Sequence, residues 1–427
     1  MKVLILGAGG REHALAWKIA QSPILNELYI APGNGGTASV GDNIPVSPDD
    51  FESIKKVVLG KRIDMVVVGP EAPLVAGIYD FFRSDEKLKD VYLIGPSRAG
   101  AMLEGSKHFA KEFMERYGIP TAFSFSVNAE HVEDGISFLR RMEPPYVLKA
   151  DGLAAGKGVL IVDTLNQAEK ELREMLGGKF GDASKTVVIE QYMRGIEASV
   201  FVLTDGESFL ILPNAKDYKR VGERDTGLNT GGMGAISPVP FIDKAFLKKV
   251  EKRIVIPTIT GLRKEHIPYT GFLYVGLMNR EGEPYVVEFN VRMGDPEAQA
   301  VIPRIKSDLL ELLAAAGEGR LKEHKIQVVP ETASTVVLAS GGYPGNYEKG
   351  KIIRGLENTT DCFLFHAGTR SDGKELVTSG GRVLAVTALA ENMDSSLELC
   401  YRNIEKIHFE KKYFRKDIGF DLKRYHS

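Results

Sequence analysis

The first hundred residues alternate short apolar runs with stretches of helical periodicity, a pattern that predicts a parallel sheet wound with helices. The runs at 3–6, 28–31, 65–68 and 92–94 read as its strands. Each ends in a glycine or proline loop: GAGGRE, APGNGGTA, GPEAPLV and GPS. Ligands of open α/β sheets bind beyond the carboxyl ends of the strands, where these four loops converge. This unit ends near Gly105. At Ser106 the pattern changes, and SKHFAKEFMERYGIP becomes an amphipathic helix with Ser106 as N-cap and Phe109, Phe113 and Met114 on its apolar face. Gly118 and Pro120 stop it.

Further on, strands at 146–149 and 159–162 flank DGLAAGKG and make a glycine-rich hairpin. A helix near 164–176 leads to a strand at 187–190, a connector at 191–195 and a strand at 196–203. The stretch 214–235, NAKDYKRVGERDTGLNTGGMGA, is polar, charged and rich in glycine, the composition of a long functional loop. Strands follow at 271–278 and 285–290, then at 335–339 and 383–387, and a helix at 393–407 closes the pattern.

Composition changes this picture little. The chain of 427 residues is too long for one core and implies two to four packed units. Lys and Arg number 55 against 57 Asp and Glu, so no bulk positive field exists for nucleic acid or an anionic membrane, and phosphate-binding charge must be local. Cys362 and Cys400 lack metal-ligand spacing and read as packing residues of a protein in a reducing cytosol. The opening strand MKVLILG leaves no room for a secretory leader, and no run approaches a membrane span. The expectation is a cytoplasmic protein, monomeric or a small homo-oligomer.

The candidate chemistry lies in the loops. In GAGGRE the sixth position of a dinucleotide fingerprint is Glu12, too bulky for that motif, and no acid ends the second strand. Gly9, Gly10 and Arg11 at a helix N-terminus can still seat a single phosphate, unless the loop is simply a tight turn. Glu71 can accept hydrogen bonds from sugar hydroxyls or an amine, or cap the following helix. Lys107 sits in a helix first turn, where the dipole disfavours a cation unless an anion binds nearby. In the hairpin, Gly152, Gly156 and Gly158 permit close backbone approach to phosphates, with Lys149 and Lys157 as point charges. Gly158 follows Lys157 where a Walker A loop needs a hydroxyl, so this is no P-loop. The connector after Glu190, with Gln191, Tyr192 and Met193, can face an adenine edge, and Glu197 can take ribose hydroxyls. Glu288 and Asn290 fall on one face of their strand by its two-residue period. A carboxylate and a carboxamide, completed by phosphate and water, suit Mg²⁺. Arg292 can reach a carboxylate substrate, and Asp295 before Pro296 reads as a helix N-cap.

These segments resemble the ATP-grasp superfamily and, within it, the phosphoribosylamine–glycine ligase (glycinamide ribonucleotide synthetase) family of purine biosynthesis. GAGGREHALAWK, APGNGGTA, VGPEAPLV, LEGSK, KADGLAAGKGV, KRVGERDTGLNTGGMGA, YTGFLYVGLM, EFNVRMGDPE, GGYPG and HAGT carry the likeness in that family's order. Departures are modest: Leu228 stands where proline is usual, and Val291 and Met293 where Cys and Phe are. The resemblance implies an α/β protein of three domains: an N-terminal parallel α/β substrate domain at 1–105, an α+β ATP-grasp clamp at 106–328 with a lid at about 121–190, and an α+β domain at 329–427. It implies ATP-dependent joining of glycine to 5-phosphoribosylamine with Mg²⁺ or Mn²⁺. Lys107, Lys149, Gly156, Lys157, Gly158, Glu190, Gln191, Tyr192, Met193 and Glu197 would serve ATP, and Glu288 with Asn290 the metal. Gly9, Gly10, Arg11, Glu71, Asn229 and Arg292 would serve the other substrates, and Asp217 would take up a proton. Two other readings remain: an ATP-grasp enzyme acting on a different carboxylate, and a nucleotide-binding regulator.

Overall fold

The structure is a computed structural model describing residues 1–153 and 158–425, so Gly156 and Lys157 lie outside the described residues. The expected parallel sheet is present. Its strands are β1 (Lys2–Gly7), β2 (Glu27–Pro32), β3 (Asp42–Asn43), β4 (Met65–Val68) and β5 (Tyr92–Pro96), ordered β5-β4-β1-β2-β3. Val3 to Leu6 have no exposed surface, as expected of strands covered by helices on both faces. Ser106 caps the helix Lys107–Arg116 by accepting from the Phe109 amide at 3.0 Å.

A separate antiparallel sheet of β6 (Ser124–Asn128), β7 (Tyr146–Ala150), β8 (Val159–Val162) and β9 (Thr186–Gln191), ordered β6-β9-β7-β8, carries the glycine-rich hairpin. It has its own small core around Leu148, Leu172 and Ile189. The next strand, β10 (Ile196–Thr204), does not pair with β9. It joins the main sheet instead, beside β11 (Phe209–Ile211), so the connector after Glu190 crosses between two sheets.

Residues 214–235 are more ordered than a polar loop. They form β12 (Lys216–Asp217), the ribbon of β13 (Arg220–Gly222) with β14 (Thr226–Asn229), and β15 (Gly234–Ser237). Long antiparallel strands β16 (Tyr269–Arg280) and β17 (Glu283–Asn290) follow, and β16 pairs with β10 from Gly271 to Asn279. At its start β16 also pairs with β5, Tyr269 opposite Pro96 and Thr270 opposite Gly95, which merges the N-terminal and central strands into one nine-stranded sheet. Gly271, at φ +137°, sits where a Cβ would come within 3.0 Å of the Gly95 amide.

The last unit contains β18 (Thr332–Ala339), β19 (Phe363–His366), the hairpin β20 (Thr369–Asp372) with β21 (Glu375–Thr378), and β22 (Arg382–Ala390). Its sheet runs β12-β15-β18-β22-β19, so the segment from the centre of the chain is built into the C-terminal sheet. The helix Met393–Ile404 packs on β18 and β22 and ends earlier than the sequence pattern suggests. Among the described residues no helix is long and apolar enough to cross a membrane.

Candidate active site

Lys149 on β7 and Glu190 on β9 are diagonal neighbours across the lid sheet, because Lys149 lies opposite Val188. The lysine Nζ stands 2.9 Å from Glu190 Oε2, and Lys111 Nζ stands 3.3 Å from the same oxygen. All three side chains are buried. Burial alone would raise the Glu190 carboxyl, but the two ammonium groups hold it below its usual range. Burial pushes Lys111 down to about 8 against the pull of Glu190. Glu190 therefore spends its side chain on the lysines, and β9 continues through Gln191 before the connector begins. Lys107 lies against the hairpin, its Nζ 3.2 Å from the Gly152 carbonyl, while the Gly158 carbonyl accepts from Ala150.

The β6–β9 sheet reaches β17 through Lys149, whose Nζ donates to the Val287 carbonyl at 3.4 Å, one residue before Glu288. Glu288 lines a narrow polar cleft, too tight in this structure for a water molecule, with Glu197, Ser199, Asp217, Lys219 and Tyr274. Lys219 pairs with Glu197 at 2.9 Å. Lys149, Lys219 and Arg292 pair with other carboxylates, and among the described residues Glu288 forms no ion pair, its charge acting instead on the nearby Lys107. Asp217 is raised by burial and by the neighbouring Glu197, against Lys219 and Lys216. Met193 packs with Ala122 and Met278 in an apolar patch bordered by Tyr285 and Val287, while Gln191 and Tyr192 are exposed beside it. Asn229 does not join this cleft; it stands exposed at the end of β14, paired with Arg220.

Arg292 is held between two carboxylates. Its Nη2 donates to Glu104 Oε1 at 2.7 Å and its Nε to Glu71 Oε2 at 3.2 Å. The Glu104 side chain is 6% exposed and the Glu71 side chain 35%, so one partner is fixed and the other faces solvent. Glu71, the first residue of the helix Glu71–Ala76, therefore serves as an ion-pair partner across domains.

A second cleft of about 350 Å³ opens at the sheet's carboxyl edge, lined by Gly9, Arg11, Glu12, Pro48, Asp49 and Asp295 among others. Here the sequence reading needs correction. The N-terminus of the helix Gly10–Ile19 is not a free anion seat, because Glu12 folds back, accepts from the Gly9 amide at 2.5 Å and pairs with Arg11 Nε at 2.6 Å. Glu12, which spoiled the dinucleotide motif, fills the space that a Cβ at Gly7 would take. Asp295 caps no helix either: the helix starts at Glu297, and the Asp295 carboxylate accepts from Gln299 Nε2 at 2.8 Å and pairs with Arg382 at 3.3 Å. Three carboxylates and one guanidinium make this cleft better suited to hydroxyls and an amine than to a bare phosphate.

Glu104, Lys111, Glu297 and Arg382 were not singled out from sequence. Burial pushes Glu297 up to about 7, and the charge of Asp217 adds to it. Buried charges carry no periodic signature distinct from solvated ones: Glu104 stands in the LEGSK segment and Glu297 in EFNVRMGDPE, but nothing in either segment marks the side chain as buried.

Comparison with known proteins agrees with this geometry. The N, ATP-grasp (A) and C domains of phosphoribosylglycinamide synthetase match residues 1–104, 105–298 and 333–421 respectively. The chain is similar to phosphoribosylamine–glycine ligases of Escherichia coli (46% identity, 98% of each chain covered) and Chlorobaculum tepidum (47%, 98% of this chain and 99% of that one). The solved phosphoribosylamine–glycine ligase of Thermotoga maritima superposes with a TM-score of 0.85 at 36% identity, covering 98% of this chain and all of that one. The biotin carboxylase domain of Hydrogenobacter thermophilus 2-oxoglutarate carboxylase, TM-score 0.72 at 17% identity, shares the fold. Matched from end to end in sequence and in three dimensions, the chain belongs to the phosphoribosylglycinamide synthetase family of ATP-grasp ligases.

Proposed function

We propose that the chain joins glycine to 5-phosphoribosylamine at the expense of ATP, forming the glycinamide ribonucleotide, ADP and phosphate in purine biosynthesis. The observation that supports this reading is the contact of Lys149 with the Val287 carbonyl, which brings the proposed phosphate lysine beside Glu288, the proposed metal carboxylate. In this reading residues 1–105 serve the sugar amine, 106–328 the nucleotide and glycine, and 329–427 close the assembly.

Glycine's carboxylate is a poor acyl donor until one of its oxygens is phosphorylated, so the reaction runs through glycyl phosphate. Lys107, Lys149 and Lys157 offset the charge of the transferred phosphoryl group. Met193 and its apolar neighbours flank the adenine, and Glu197 takes the ribose hydroxyls. Glu288 and Asn290, hard oxygen donors on one strand, would hold Mg²⁺ or Mn²⁺, and the ion would offset charge on the phosphate oxygens. The solved biotin carboxylase domain named above is a complex with MgADP, which supports the same use of this fold. Glu104 holds Arg292 while the more exposed Glu71 can yield to the glycine carboxylate. The sugar amine sits in the Gly9, Arg11 and Asp295 cleft, and Asp217, raised by burial, accepts its proton.

A substrate-omission assay tests this. ADP release should require glycine and phosphoribosylamine together, and Glu288→Gln should raise the metal concentration needed for half-maximal rate about tenfold or more. ADP formation supported by another carboxylate and not by glycine would defeat the proposal.

A further inference from the structure

We propose that the C-terminal segment 413–421 is a positioning strap for the loop joining the two clefts, with Arg415 at its centre, and that its grip keeps ATP use coupled to ligation. This rests on the reaction proposed above. The loop, residues 214–235, runs from the nucleotide floor, where Asp217 and Lys219 line the wall with Glu288, to the sugar cleft. There the Gly231 carbonyl accepts from Arg382 at 2.6 Å, beside Asp295.

Between those anchors the loop is held by the chain's last segment. The Arg415 side chain has no exposed surface. It donates to the Arg220 carbonyl at 3.1 Å and to Asp225 Oδ1 at 2.6 Å, and grips Asp417 through two bonds of 2.8 and 2.9 Å. Asp417 in turn accepts from the Arg224 amide at 2.6 Å. Arg224 and Asp225 are consecutive non-glycine residues at φ 52° and 54°, a conformation that persists only where its surroundings over-determine it. Tyr413 donates to the Val221 carbonyl at 2.6 Å. Asp421 accepts from the Tyr218 hydroxyl at 2.8 Å and pairs with Lys216 at 3.3 Å. With Lys216 and Tyr218 turned to the strap, strand alternation turns Asp217 to the cleft.

A buried guanidinium ringed by carboxylates contributes little net stability compared with apolar side chains of the same volume, so its consequence here is geometric. The geometry matters because glycyl phosphate has two fates. Attack by the sugar amine forms the amide bond and expels phosphate. Attack by water expels phosphate too, but returns glycine and loses the ATP. A loop held across both clefts keeps water from the acyl carbon.

Tyr413→Phe and Asp225→Asn each remove one contact at the outer side of the strap, and Arg415→Lys keeps its charge but loses the forked geometry. The readout is ADP released per amide formed at saturating substrates, alongside the melting temperature. The unaltered protein should give a ratio near one; Tyr413→Phe and Asp225→Asn should raise it about threefold with melting unchanged, and Arg415→Lys further. Should the unaltered protein be coupled and the Tyr413 and Asp225 variants match it, the strap proposal is overturned while the function stands. Absence of glycine-dependent ADP release in the unaltered protein would overturn both.

Discussion

Arg292 illustrates how a single side chain can belong to two partners of unequal permanence. Its bond to Glu104 is enclosed, and its bond to Glu71 opens to solvent. Glu104→Gln keeps the shape but removes the charge that fixes the guanidinium. We expect kcat/KM for glycine to fall about 30-fold, since loss of a charge-assisted hydrogen bond costs about 2 kcal/mol, with KM for ATP nearly unchanged. An equal loss for both substrates would mean a general structural defect. Lys149→Met should lower ATP turnover by about two orders of magnitude, by analogy with loss of a single preorganised electrostatic donor. Circular dichroism would check that the lid sheet survives, Lys111 remaining to neutralise Glu190. Lys149 and Glu288 were legible in sequence because glycine spacing and strand alternation single them out. Glu104 and Lys111 were not, because only the approach of Val291, 187 positions away, or of β9 distinguishes them from solvated helix charges.

At the level of elements, the telling feature is the connector between β9 and β10, where the chain passes from the lid sheet to the main sheet. Gly195 lies there against the Asn279 carbonyl, and a Cβ would also meet Met278 Cγ at 2.9 Å. Gly195→Ala should displace the β10 end of the connector, raising KM for ATP several-fold and costing about 1–3 kcal/mol of stability. Denaturant titration and steady-state kinetics would check the two effects, and unchanged values would show that the connector gives way freely. Strand existence and type could be read along the N-terminal sheet, where apolar runs are short and punctuated. The small strands of residues 214–235 could not, because their local sequence is that of a loop and β15, on which β12 pairs, finds its long partner β18 only about a hundred residues later.

Across the whole molecule, the N- and C-terminal units meet at two buried histidines. His13 Nδ1 accepts from the His366 amide at 2.8 Å. Burial, with His366 nearby, pushes His13 down to about 3, and burial pushes His366 down to about 4. Both lie below the unfolded value of about 6.5, so protons favour the unfolded chain. Their contribution is complete above that value and is lost as pH falls toward 4 and 3. His366→Asn should therefore shrink the drop in melting temperature between pH 7 and pH 5 by about 2 °C or more, measured by calorimetry against the unaltered protein. An identical drop would assign the acid sensitivity to other groups.

The ladder between β5 and β16 carries a further consequence for anyone wishing to cut the protein into parts. Because Gly95 and Pro96 lend their backbone to a strand that begins at Tyr269, the first hundred residues expressed alone would present a bare sheet margin to every other copy in the tube. Dissection at the linker would yield a sticky fragment, and the enzyme is better studied whole.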